Sequence, residues 1–425
     1  MFKRILLIGD NSRVRNWGCR GTTASLKKLI AEKFPGAEIR SIYWHSYRWD
    51  TPANGWPAPD PAATRTEPAP SMMGRALSKL GLHPLAAALH RKIRRSGPPG
   101  AANRDSVPLT AEQFESAANE MLAGRMLPHE MQLLNWCDAV IINGEGSIYP
   151  GSGRFARYPL FLMYVIKKYL NKPCSMVNHT IEAENEDIEA MVRLVYPLLD
   201  YIAVREPWSA RELHRIGIER DIPVVPDALF SFQPKADWHP SEELQLEVDF
   251  SRPFLCLGDS SGLFRVSWDI PAVYRALVEN LRNICGQVVF VDGNGEYSRK
   301  FKGMASEAGI GQVNVDNCSY EDLYHVLGHA ELYISGRWHP SILCAMAGTP
   351  LVLMGANSHK TQGLLELFDY PGKIFDLARL PWATEGLLAE AKRILSMRES
   401  LGEMLRGKSR DFAAAAERNI RFSYD

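Results

Sequence analysis

Arg337 and His339 stand two residues apart in ELYISGRWHPSILCAMAGTPLVLMGANSHK, residues 331–360, where an apolar strand breaks at Gly336 and a helix is expected to begin. A guanidinium and an imidazole at the mouth of a sheet suit a bound anion. Side chains two apart on an extended segment share a direction, and this pair can grip a carboxylate and a phosphate together. Lys360 follows the next apolar strand and brings a further cation, and Arg205 directly follows the apolar YIAV. Each also has a plainer reading: Arg205 could cap its sheet against Glu206, and His339 could be an ordinary helix-start residue.

In an open α/β sheet, ligands bind beyond the carboxyl ends of the strands, so the residues just after each strand are the ones to weigh. After LLIGD comes NWGCRG, with Asn16, Gly18 and Arg20; after AVIIN comes GEGSIYPGSG, with Gly144, Glu145, Gly146 and Ser147. Glycines there allow tight turns and can aim backbone amides at an anion, or they merely turn a corner. The full G-x-G-x-x-G pattern with a downstream acid is absent, which argues against a nicotinamide cofactor. Asp227 in VVPDALF either caps its turn or acts as a base. His179, Asp259 and Ser260 also end strands but are less specific, and Trp338 could stack on a sugar or fill the core.

The elements that must position these residues alternate along the chain. KRILLIG, a helical stretch over 19–34 and AEIRSIYW give the first strand, helix and strand. After an insertion over about 49–108, rich in Pro and Gly with one possible helix over 72–90, a helix over 110–135 leads into strands and helices ending at IPVVPD. A polar join follows, and then a second series from PFLCLGD to a C-terminal helical segment. Strands alternating with helices imply parallel sheets covered on both faces. The expected fold is α/β, with two Rossmann-like domains facing across a cleft in the GT-B manner: an N-terminal one over 1–235 and a C-terminal one over 250–425. Segments 57–70 and 101–107 are expected to be mobile.

At 425 residues the chain has room for two domains. Lys plus Arg and Asp plus Glu each total 49, which removes the overall positive field of a nucleic-acid binder. The seven cysteines show no CxxC or other metal-ligand spacing, so they read as reduced, buried thiols, and no metal and no cofactor are expected. Only four strong hydrophobes run together before Gly9, too few for a signal-peptide core, and no run approaches the roughly 20 apolar residues of a membrane span. The expected location is the cytoplasm, with peripheral contact at the inner membrane left open.

Taken in order, NWGCRGTTASL, AVIINGEGSIY, IAVREPWSARELHRIGI, VPDALF and SGRWHPSILCAMAGTPLVLM, with Lys360 behind them, make the chain resemble the polysaccharide pyruvyltransferase family. That resemblance implies transfer of a pyruvyl group from phosphoenolpyruvate to sugar hydroxyls of a polysaccharide or lipid-linked precursor, forming a ketal. It implies that Arg205, Arg337 and His339 hold the donor and that Lys360 adds a phosphate contact. His339 would supply a proton or hold phosphate, while Asp227 or Glu145 would take the hydroxyl proton. Asn16, Gly18, Arg20, Gly144, Gly146 and Ser147 would face the acceptor or bind anion through backbone. The chain departs from the family pattern at Cys19-Arg20, where an acid commonly follows N-x-G, at Glu145 within the glycines, and at Trp338 in place of leucine. Two other functions compete with this one: a glycosyltransferase using a nucleotide-sugar, and a non-catalytic sugar-binding protein. The acceptor sugar and the oligomeric state are not readable from the sequence.

Overall fold

The computed structural model describes residues 2–43, 107–293 and 298–423. Strands β1 (Arg4–Asp10), β2 (Glu38–Tyr43), β3 (Ala139–Ile148), β4 (Cys174–Ile181) and β5 (Tyr201–Val204) form one sheet in the order β2-β1-β3-β4-β5. Strands β6 (Phe254–Ser260), β7 (Gln287–Val291), β8 (Gly311–Val313), β9 (Leu332–Gly336), β10 (Leu351–Met354) and β11 (Ile374–Phe375) form a second, in the order β11-β10-β9-β6-β7-β8. Both sheets are parallel. Parallel strands are covered on both faces and so read as continuous apolar runs; Ile5, Leu6, Leu7 and Ile8 of β1 are all fully buried. The second sheet has the strand order of a dinucleotide-type Rossmann unit, and the first has that of the flavodoxin-like variant. These are two Rossmann-like units, as the alternation of elements indicated.

Each sheet has one point where the connections reverse direction, between β1 and β3 in the first and between β6 and β9 in the second. A crevice opens at such a point, beyond the carboxyl ends of the strands. Asn11, Glu145, Asp259 and Arg337 all lie at these ends.

The structure corrects several local expectations. The helix expected over 110–135 is two helices, Phe114–Leu122 and Pro128–Trp136. Gly124 and Leu127 take positive φ between them, and Pro128 opens the second as a residue that needs no intrahelical N–H partner. The strand expected at IPVVPD shrinks to one bridge between Val204 and Val224, because Pro223 and Pro226 cannot donate to a ladder. Helix Glu186–Val195 gives way to a 3-10 turn at Tyr196–Leu198, around Pro197. The insertion with its possible helix over 72–90, and the stretches 57–70 and 101–106, lie outside the described residues; Val107 itself is buried in the core.

The two units share apolar surface. Trp17 at the start of helix Trp17–Lys33, with Leu229 and Phe230 from the turn Ala228–Ser231, belongs to the core of the second unit, and the Trp17 indole donates to the carbonyl of Cys318 at 2.5 Å. The exchange runs the other way at the chain's end. After helix Arg398–Ala415, residues Ala416 and Ile420 pack with Ile5, Leu7, Leu29 and Ile30 beneath the first sheet. Phe422 meets Phe2 with ring centroids 5.0 Å apart, and Asn419 donates to the carbonyl of Pro226 at 3.0 Å. Ile420 is 2% exposed, so Ile420→Ala should lower the unfolding free energy by about 2–5 kcal/mol in chemical denaturation. A loss below about 0.5 kcal/mol, ordinary for a surface site, would show that the tail adds nothing to that core.

Candidate active site

The crevices of the two sheets meet in one cavity of about 250 Å³, lined among others by Asn16, Cys19, Glu145, Gly146, Arg205, Ser260, Arg337, Trp338, His339 and Lys360. Arg205 leaves the end of β5, Glu145 the end of β3, and Arg337 caps the helix Trp338–Ala347 that follows β9. Lys360 opens helix Lys360–Phe368 after β10.

Behind the wall formed by Arg205, Trp338 and His339 is Asp227, fully buried. Its carboxylate accepts from Thr22 Oγ1 at 2.5 Å, Arg205 Nη1 at 2.8 Å and Trp338 Nε1 at 3.0 Å, and His339 Nε2 lies 3.5 Å away. Burial alone would raise this carboxyl, but His339, Arg205 and Thr22 outweigh it and hold the group far below the ordinary carboxylate range. Asp227 therefore stays ionised and joins the units: Thr22 and Arg205 come from the first, Trp338 and His339 from the second. The Arg205 guanidinium also donates to Thr180 Oγ1 at 3.0 Å and lies 4.6 Å from the Trp338 ring centroid.

Arg337 has its own carboxylate. Its Nε donates to Asp259 Oδ1 at 2.7 Å and its Nη2 to Asp259 Oδ2, a two-point pairing with a fully buried acid. Burial would lower the arginine's proton affinity, but Asp259 more than restores it. Lys360 differs: its ammonium donates to Asn357 Oδ1 at 2.6 Å, and among the described residues it is the cavity-lining Lys or Arg with no carboxylate at ion-pair distance. Burial first, then the nearby charges of Arg205 and Arg337, bring its pKa down to about 7. The expected group of free cations is thus two arginines already paired to buried acids, beside one lysine whose charge an anion would complete.

Glu145 is held in a left-handed backbone conformation, φ 41°, which costs on the order of 1–3 kcal/mol away from glycine and persists where surrounding structure enforces it. Its Oε1 accepts from Asn11 Nδ2 at 2.7 Å and Asn143 Nδ2 at 3.1 Å. Asn143 in turn accepts from Asn178 at 2.8 Å, and Asn178 donates to Thr22 at 3.0 Å, so one buried polar chain runs from Glu145 to Asp227. The Cys19 thiol hydrogen-bonds Glu145; burial, and then that carboxylate, push its pKa well up.

The remaining candidates fall into place by geometry. Asn16 caps helix Trp17–Lys33 by accepting from the amide of Cys19. Gly18 is there for space, since a Cβ would stand 2.0 Å from the Cβ of His339; it lets the two units touch at the cavity. Gly144 makes room for His179 in the same way. His179 is buried away from the cavity, its pKa brought down to about 3 by burial despite the Ala203 carbonyl. Ser147 is buried with its hydroxyl unpaired, off the cavity wall, and Arg20 turns away to the carbonyl of Val14 at 2.5 Å. Asp259 carried little weight before its pairing with Arg337 was seen, and Tyr149, Ser261, Phe264 and Asn357, which line the cavity, carried none. Ser261 and Asn357 follow strand ends, the signal by which they could have been found.

In solved structures the fold recurs in sugar-nucleotide enzymes. UDP-GlcNAc 2-epimerase from Neisseria meningitidis is 9% identical with a TM-score of 0.52, over 97% of this chain and 99% of that one. Arabidopsis thaliana UGT89C1, complexed with UDP, is 10% identical with a TM-score of 0.50, over 98% and 97%. The chain spans 66% of the length of a Thermobaculum terrenum O-GlcNAc transferase mutant, with 98% of itself covered, 14% identity and a TM-score of 0.43. No curated protein matches in sequence. The first two likenesses identify a GT-B architecture and leave the chemistry to the sequence, where the family model for polysaccharide pyruvyl transferase matches residues 23–358. That span holds Glu145, Arg205, Asp227, Arg337 and His339 and most of the 425-residue chain, so the protein belongs to the polysaccharide pyruvyl transferase family and is a transferase.

Proposed function

We propose that the protein moves the pyruvyl group of phosphoenolpyruvate onto two hydroxyls of a sugar, in a polysaccharide or its lipid-linked precursor, as a ketal with release of phosphate. The observation that carries this reading is the convergence of Arg205, Arg337, Lys360 and His339, from both sheets, on one cavity of about 250 Å³. Sites for drug-sized ligands run to roughly 300–1,000 Å³, so this space suits a three-carbon phosphorylated acid. The second unit, with Arg337, His339 and Lys360, takes the donor; the first, with Asn16, Glu145 and Gly146, faces the acceptor.

Ketal formation needs a proton on the methylene carbon and attack by a hydroxyl oxygen on the adjacent carbon, with loss of that hydroxyl's proton. The bond from this carbon to the phosphate oxygen then breaks, and a second hydroxyl attacks and loses its proton. His339 at the wall supplies the first proton or holds the phosphate, and Glu145, its carboxylate fixed by two amides, takes the hydroxyl proton. Asp227 becomes a positioning residue, because its oxygens are engaged by Thr22, Arg205 and Trp338. No metal or cofactor is assigned to these steps. No described helix is long and apolar enough to cross a membrane; a lipid-linked acceptor would bring the protein to the cytoplasmic membrane face. Titration with phosphoenolpyruvate and with a nucleotide-sugar panel tests the donor: binding of a nucleotide-sugar alone would replace this reading with a glycosyltransferase.

The geometry changes which variants are informative. Arg337→Ala would strand the buried Asp259 carboxylate, at about 3–5 kcal/mol, so it would cost stability as well as donor affinity. Lys360→Met carries no such debt and should weaken phosphoenolpyruvate binding about ten- to a hundredfold in calorimetry, as loss of a charge-assisted contact does. The wild-type protein should also bind the donor less well as pH rises through about 7 and Lys360 loses its proton. The phosphate's own titration runs the opposite way, so the test is the difference from Lys360→Met; parallel pH profiles would remove Lys360 from the donor site. His339→Ala and Glu145→Gln should lower acceptor-dependent phosphate release by about 10²–10⁴, the usual range for a lost acid or base, and full turnover in both would take the proton-transfer roles away.

A further inference from the structure

We propose that Cys19, Glu145 and His339 form a three-ligand site for a thiophilic divalent cation of the Zn²⁺ class, with its open position toward the cavity. One ligand atom from each of the three lies within 4.8 Å of the others. Spacing along the chain gave no hint of it, because the three residues come from a helix start, the end of β3 and a helix start of the other unit. A thiolate, an imidazole and a carboxylate are the donor set of a borderline-soft cation rather than of Mg²⁺ or Ca²⁺, and three protein ligands with one open place mark catalytic rather than structural zinc sites.

The surroundings support the ligands as a metal's outer shell would. Both amides that fix Glu145 bind its Oε1, and the positive φ of Glu145 turns its carboxylate to this place at a cost in strain. His339 Nε2 faces Asp227 at 3.5 Å, which leaves Nδ1 as the coordinating nitrogen, and Nδ1 is one of the His339 atoms packed against Gly18, the residue before Cys19. Binding replaces the sulfur–hydrogen bond of Cys19 with a sulfur–metal bond and releases one proton to solvent. The cation, one thiolate and one carboxylate then sum to zero charge. That sum lets the site sit beside Arg205 and Arg337, each already paired with an acid, and beside Lys360. A cation there would present a coordination position to an oxygen anion in the cavity, and while bound it would take Glu145 and His339 out of the proton transfers proposed above, so the metal-loaded protein should hold an anion without turning over.

The test uses the full chain freed of metal by chelation and dialysis, without substrate, so it stands or falls apart from the pyruvyl-transfer reading. Co²⁺ is the spectroscopic probe. One equivalent should produce a sulfur-to-cobalt charge-transfer band, and Zn²⁺ should displace it. Cys19→Ser should abolish the band, and Glu145→Gln should weaken binding at least ten- to a hundredfold, the range that even outer-shell losses cause. Cys285→Ser should leave the band unchanged, since Cys285 is the other half-buried thiol and lies outside the cavity. Circular dichroism on each variant separates loss of ligand from loss of fold. Absence of one saturable site in the wild type, or a band that persists in folded Cys19→Ser, overturns the proposal.

Discussion

The buried carboxylate of Asp227 is the constraint on which the rest of the site depends. Moving such a charge out of water costs several kcal/mol, and the cost is offset only when its oxygens are fully engaged. Here the partners that engage it are Thr22, Arg205 and Trp338, with His339 alongside, and they belong to opposite units. The chain can satisfy this acid only by bringing both sheets together at the right separation. That same act places Arg205 and His339 at the wall of the cavity.

Charge in the cleft is distributed by the same rule. Each arginine is matched to a fully buried aspartate, so neither depends on a ligand for its place, and the guanidinium groups stay oriented when the cleft is empty. Lys360 is left to respond to what enters. Fixed, compensated dipoles with one adjustable charge cost little reorganisation on binding, which is the condition for strong electrostatic stabilisation of developing charge. The buried amide chain from Asn11 through Asn143 and Asn178 to Thr22 extends this order to Glu145 on the far wall.

The alternation of apolar runs and helical periods made both sheets legible, because parallel strands covered on both faces must be apolar throughout. Arg205, Arg337 and Lys360 were legible as well, since sheet topology puts strand ends at the crevice. What the sequence could not show was pairing. Nothing local to Arg337 points to Asp259, which is brought to it only when β6 and β9 lie side by side. Asp227 read as a possible base for the same reason: its four neighbours come from three separate stretches. Pro223 and Pro226 were visible but outweighed by the apolar residues around them, and the single bridge at Val224 shows the backbone donors deciding instead. Cys19 stood out only as a departure from a family pattern and Glu145 also as a candidate base, and their closeness is a property of the fold.

The return of residues 416–422 to the underside of the first sheet bears on how the protein is made. A ribosome delivers the first sheet's strands early and residues 416–420 roughly four hundred residues later. Ile5, Leu7 and Ile30 therefore lack part of their cover until that later segment has emerged. At elongation rates of roughly 5–20 residues per second, a chain of 425 residues keeps that apolar face open for tens of seconds, while most N-terminal domains fold as they emerge. The first unit's core is not closed until the second unit has been made, so its apolar face is open to non-native contacts for that interval.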